Sequence, residues 1–259
     1  MKARQIPILL SAAAGLPLVS AGTVLWSGVF NESYTVEDFD KWSWSNQIPP
    51  YQWYIHGSGA TDTYLGVSAD FKNPNSTLAD EAQGVRITID DTSSWNGQTM
   101  MRSELIPQIT SGTDLGSGVR YYHFSLSASE ENFPTSEFEH QVAFFESHFT
   151  ELKYGGSASD LTWYAGGTAQ WSTALEAGVW YNFAYGIDFD SSTVALYAST
   201  GGEDLELVVD AVSASTSTNS ADWHVGQLRL DQSAPGTGGA EDWFWSGVYV
   251  EEGDVTLAV

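Results

Sequence analysis

At 259 residues, with 42% hydrophobic side chains and no cysteine, the chain is long enough for a large core but has no disulfide to staple it, so burial must hold it together. Asp and Glu number 33 against 9 Lys and Arg, a formal net charge of −24. Such a field disfavours nucleic acid, anionic membranes and polyuronates as partners and costs a neutral polymer nothing.

Residues 1–21, MKARQIPILLSAAAGLPLVSA, begin with Lys2 and Arg4, continue into an apolar run and end on small residues. The run is too short to span a bilayer, so it reads as a secretory signal cleaved after Ala21 or Gly22, which leaves residues 22–259 as a single domain. Without Lys2 and Arg4 the balance is 7 against 33, a net of −26. From Thr23 onward the hydrophobic period is two. Strands are predicted at 24–30, 84–89, 99–106, 120–127, 140–149, 161–164, 180–189, 194–198, 205–211, 223–230 and 243–250, parted by turn-rich stretches such as NPNST, SGTDLGSG and QSAPGTGG. No window keeps a helical period. The expected fold is all-β, an antiparallel sandwich of jelly-roll type with an open groove on one sheet.

With 11 Trp, 12 Tyr and 12 Phe, the chain holds more aromatic rings than a core of this size is expected to take, so some are expected at a surface where sugars stack. In WFWSGVYVEE, Phe244, Val248 and Val250 oppose Trp243, Trp245, Tyr249 and Glu251, which places the latter set on the groove side. A solvated amphipathic face gives the same pattern.

The stretch NGQTMMRSELIPQ places Arg102 and Glu104 on one face of a strand, with Met101, Ser103 and Leu105 on the other. A structural ion pair is one reading. A second acidic strand, FEHQVAFFESHF, favours another: with Val142 and Phe144 inside, Glu139 and Gln141 face the groove. Glu146 and His148 then fall on the core side, unless a bulge intervenes. Two carboxylates across a groove are what glycosidic cleavage needs, one to protonate the leaving oxygen and one to activate water or attack the anomeric carbon. Glu139, free of an arginine, is the better candidate for a raised pKa. His224 shares parity with Leu228 and Leu230, which suggests a core position, while its place near the strand start leaves a groove role open.

No histidine spacing suits a metal and no cofactor is expected; a structural calcium held by loop acids such as Asp188, Asp190 or Glu251 stays open. Asn31 and Asn75 begin glycosylation sequons.

The stretches KWSWSNQ (41–47), YIHGSG (54–59), WNGQTMMRSELIPQ (95–108), EHQVAFFESHFTELK (139–153), NSADWHVGQLRL (219–230) and EDWFWSGVYVEEG (241–253) together resemble glycoside hydrolase family 131, secreted fungal β-glucanases. The resemblance runs in the same order along nearly the whole mature chain. It implies a β-jelly roll that cleaves β-1,3-, β-1,6- and β-1,4-linked glucans, related in fold to glucuronan lyases that carry a similar Arg-x-Glu-Leu element. It further implies Glu104 and Glu139 as catalytic acids and Arg102, Gln141 and His224 as groove residues. Trp95, Gln98, Trp243, Trp245 and Tyr249 complete the candidate sugar contacts. The expected partner is a neutral β-glucan, bound by a monomer. Two alternatives remain: a polysaccharide lyase using Arg102, His224 and Tyr249, and a non-catalytic glucan-binding module.

Overall fold

A computed structural model describes residues 22–40, 50–109, 112–230 and 239–259; the leader and the KWSWSNQ stretch lie outside them. Among the described residues, fifteen strands follow in chain order: β1 Thr23–Ser27, β2 Tyr51–Ile55, β3 Leu65–Ser68, β4 Gly84–Ile89, β5 Met101–Pro107, β6 Val119–Ala128, β7 Glu139–Phe145, β8 Thr150–Gly155, β9 Ala158–Ala165, β10 Thr168–Thr173, β11 Tyr181–Asp188, β12 Thr193–Thr200, β13 Glu206–Ser213, β14 Trp223–Leu230 and β15 Glu241–Glu252. Among the described residues, helix is confined to single turns such as Glu37–Asp40 and Thr61–Tyr64.

The strands form two antiparallel sheets. One is ordered β13-β12-β11-β6-β15-β4-β3, with β1 also on β15; the other is β10-β9-β8-β7-β14-β5-β2. The sandwich of jelly-roll type is therefore as expected. The hydrophobic period did not reveal β2, β3, β8 and β10; β2, β3 and β10 sit at sheet edges, and β8 lies inside the seven-stranded sheet between β7 and β9. An edge strand such as TAQWST buries little, so its sequence carries almost no apolar alternation.

Many of the aromatic rings lie in the core, while others, such as Tyr164, Trp171 and Phe244, stay partly exposed. Trp26, Trp163, Trp223, Trp243 and Trp245 are all buried between the sheets, where Trp223 packs edge-on against Trp26 and Tyr122. Burying each large ring contributes roughly 2–3 kcal/mol. This corrects the expected face of Trp243 and Trp245, while Val248 and Val250 point inward as expected. The pairing of β15 with β6 shifts between Ser246 and Tyr249, where Gly247 takes φ +60°, a conformation that costs glycine little. Before that bulge Trp243 and Trp245 point inward; after it Val248 and Val250 do, which leaves Tyr249 and Glu251 on the outer side. Tyr249 stacks on His123 at 4.3 Å, and Glu251 lies 2.9 Å from the same imidazole.

A charged cluster also joins the sheets. Arg229 of β14 donates to Glu241 of β15 at 2.8 Å, and His140 of β7 lies 2.7 Å from the other Glu241 oxygen. Gln227 donates to the Glu241 carbonyl. The face of β14 that meets the other sheet therefore carries Trp223, Val225, Gln227 and Arg229, and the opposite face carries His224, Leu228 and Leu230. The parity that had suggested a core position for His224 is the outer one.

Candidate active site

Strand β14 lies between β5 and β7, so the outer face of the seven-stranded sheet brings together residues from all three. On β5 the expected division holds: Met101, Ser103 and Leu105 are fully buried, and Arg102 and Glu104 lie on the other side. Arg102 grips Glu104 with two hydrogen bonds, Nε to Oε1 at 3.2 Å and Nη2 to Oε2 at 2.8 Å. His224 Nδ1 lies 2.9 Å from the same Oε2. Glu104 has no exposed surface, so its charge is held entirely by these partners.

The far nitrogen of His224 faces a second carboxylate. Nε2 lies 3.0 Å from Oε2 of Glu146, whose side chain is 71% exposed. Because a carboxylate can only accept, the two contacts are filled either by an imidazolium between two carboxylates or by a neutral imidazole with one carboxyl protonated. The two arrangements differ by one proton moved across a hydrogen bond. The carboxyl groups of Glu104 and Glu146, bridged by one ring, stand less than about 8 Å apart, within the range of paired acids in glycoside hydrolysis.

A backbone irregularity delivers Glu146 to this position. Opposite Val225 and Gly226 of β14, β7 supplies only Ala143, which takes φ +46°. Its carbonyl accepts a 3.0 Å hydrogen bond from Tyr185 of the other sheet, which pins the irregularity across the core. Alternation resets there: Val142 and Phe145 point inward, and Phe144, expected in the core, turns out to stack on His224 at 4.6 Å and on His148 at 5.1 Å. On the β14 side only glycine fits. A Cβ on Gly226 would lie 2.3 Å from the Ser103 carbonyl oxygen and 2.8 Å from the Glu104 Cα.

The expected pairing of Glu104 with Glu139 does not form. Glu104 pairs with Gly226 and Glu139 with Leu230, two strands and four residues away, roughly 16 Å between Cα atoms from strand dimensions. Nor is the Glu139 carboxyl raised. Burial pushes it up, but hydrogen bonds from Gln141 at 3.0 Å and Lys153 at 3.1 Å outweigh that and hold it below the usual carboxylate value.

Of the other candidates, Gln141 shares this face and stands opposite Leu228, which in turn stands opposite Arg102. Gln98 is exposed in the loop before β5, and Trp95 lies in the same loop by its backbone, its side chain falling outside the described set. Trp243 and Trp245 are buried, and Tyr249 belongs to the other sheet, which also removes it as a lyase base. Glu146, Phe144 and Lys153 were not among the sequence candidates. The signal for Glu146 was the Phe144–Phe145 doublet, which a strictly alternating strand cannot bury on one side.

Of the loop acids suggested for calcium, Asp188 accepts from the backbone of Asp190 and Ser191, and Glu251 accepts from Thr256. Among the described residues no group of three or more His, Asp or Glu suits a metal ion, and no helix is long and apolar enough to cross a membrane.

The family model of the glycoside hydrolase 131 catalytic N-terminal domain matches residues 24–256. The chain belongs to glycoside hydrolase family 131. It is 51% identical to the crystal structure of the family 131 catalytic domain from Coprinopsis cinerea, over 92% of this chain and 98% of that one, with a TM-score of 0.85. To the family 131 β-glucanase catalytic domain from Podospora anserina it is 49% identical, over 92% and 99% of the two chains, with a TM-score of 0.86. No curated protein matches it. As a family 131 member the chain is a glycoside hydrolase, and the Glu104, His224 and Glu146 cluster is its candidate reaction centre.

Proposed function

We propose that this glycoside hydrolase cleaves neutral β-glucans, with β-1,3, β-1,6 and β-1,4 linkages as substrates, by acid catalysis at Glu146. In this reading His224 passes its Nε2 proton to Glu146, whose carboxyl protonates the glycosidic oxygen as the bond to the anomeric carbon breaks. Water adds to that carbon, and its surplus proton returns to the imidazole. Glu104 touches no sugar; held by Arg102, it fixes the ring and balances its charge, as the buried acid does in other carboxylate–imidazole pairs.

One observation carries this reading: a single imidazole spans a fully covered carboxylate and an exposed one on an open sheet face. The substrate class is supported by the name of the Podospora relative and by the net charge of −24, which disfavours acidic polymers. The leader at 1–21 and the exposed Asn31 and Asn75 sequons support a secreted glycoprotein. We take it to act as a monomer.

Incubation with several neutral β-glucans and with glucuronan tests the proposal. New reducing ends from the neutral polymers, without ultraviolet-absorbing unsaturated ends, are expected. Unsaturated products from glucuronan, or binding with no bond cleaved, would overturn it.

A further inference from the structure

Glu139, left without a role in the reaction centre, belongs to a second polar group on the same face. Lys153 of β8 donates to Glu139 Oε1 at 3.1 Å and to Glu151 Oε1 at 3.3 Å, and its ammonium lies 5.2 Å from the centre of the Tyr164 ring on β9. Gln141 donates to the same Glu139 oxygen. Among the described residues, Glu139 Oε2 and the Gln141 amide oxygen have no partner. Glu139, Gln141, Lys153 and Tyr164 are all partly exposed, while half-buried Leu230 pairs with Glu139 and buried Leu228 with Gln141. The group thus combines an apolar floor, free acceptors and a held cation.

Register joins this group to the reaction centre. Arg102, Leu228, Gln141, Lys153 and Thr162 stand opposite one another in a row across five adjacent strands. A second line of contacts runs from His224 through Phe144 and His148 to Glu151, which His148 meets at 2.9 Å. From His224 to Lys153 the offset is two strands and four residues, roughly 16 Å, room for several sugar units.

We propose that Glu139, Gln141, Lys153 and Tyr164 form a distal subsite for a neutral glucosyl unit of a chain that crosses the strands obliquely. The proposal rests on the β-glucanase reading above. Two carboxylates face one ammonium, so the subsite is net negative: it repels uronates, while sugar hydroxyls donate to Glu139 and accept from Lys153. The C–H faces of the ring lie against Leu230 and Tyr164.

The test compares kcat/KM on β-glucan trimers and hexamers. The parent enzyme is expected to favour the hexamer. Lys153→Met and Tyr164→Ala are each expected to lower the hexamer-to-trimer ratio about tenfold, the loss of roughly one charge-assisted hydrogen bond or one ring contact. Lys153→Arg, which keeps the charge, should recover part of it. If Lys153→Met does not fold, Gln141→Ala reads the same ratio. A parental ratio in the variants, or equal losses on both substrates, overturns the subsite while a parent that cleaves glucan keeps the hydrolase reading. A parent that cleaves no β-glucan of either length overturns that reading, and the subsite falls with it.

Discussion

The rings of Phe144 and His224 lie parallel, 7° apart in plane and 4.6 Å between centres, on the outer face of the seven-stranded sheet. With Phe144 on one side, the imidazole keeps the plane in which its two nitrogens meet Glu104 and Glu146. Phe144→Leu removes the flat surface but keeps the residue apolar. The expected result is a fall in kcat of about tenfold or more, with a smaller change in KM, and partial recovery in Phe144→Tyr. Equal kcat in the parent and the Leu variant would show that the ring needs no such support.

Conservative removal of each acid separates the two candidate partners of Glu104. Glu146→Gln and Glu104→Gln are each expected to lower kcat by about 10²–10⁴-fold, because one removes the donor and the other releases the imidazole. Glu139→Gln, roughly 16 Å from Glu104, should act mainly through KM on long substrates. Steady-state kinetics on one polymeric glucan decides the matter. A Glu139→Gln variant as inactive as Glu104→Gln would restore the pairing that the sequence alone suggested.

What the sequence disclosed and what it hid have a common physical source. Arg102 and Glu104 were assigned to the correct face because β5 alternates without interruption and its inward residues are Met101, Ser103 and Leu105. Glu146, Phe144, Trp243 and Trp245 depart from the expected faces because Ala143 and Gly247 each reset the alternation, so a face read on one side of the irregularity does not carry to the other. His224 was ambiguous for another reason. Parity counting takes the charged side of a strand as the wet one, and on β14 that rule fails because Glu241, 11 residues beyond Leu230, supplies Arg229 with a buried partner. No local pattern announces an ion pair between sheets.

The bulge itself is open to test at Gly226. An added Cβ would meet the backbone of Ser103 and Glu104, and the residue holds φ +149°, so no side-chain rearrangement relieves the contact. Gly226→Ala should lower stability by about 1–3 kcal/mol and also displace Glu104 from His224. Chemical denaturation and kcat measured on the same preparation should therefore both fall. Stability and turnover equal to the parent's would mean that β14 and β5 can part without consequence.

Acid sensitivity follows from Glu241. Burial raises its carboxyl, but His140 and Arg229 outweigh that and leave it below the usual value of 4.5. A carboxyl depressed in the folded state is still ionised there when the unfolded chain has already taken up a proton. Its stabilising contribution is therefore complete above the ordinary value and is lost as pH falls through the depressed one. The melting temperature of the parent should drop as pH is lowered below about 4.5. Glu241→Gln should flatten this dependence and destabilise the protein at pH 7 by about 3–5 kcal/mol, since it takes the carboxylate away from a fully buried arginine. Thermal melts of both proteins across the acid range provide the check; parallel curves would mean that the pair between the sheets does not govern unfolding.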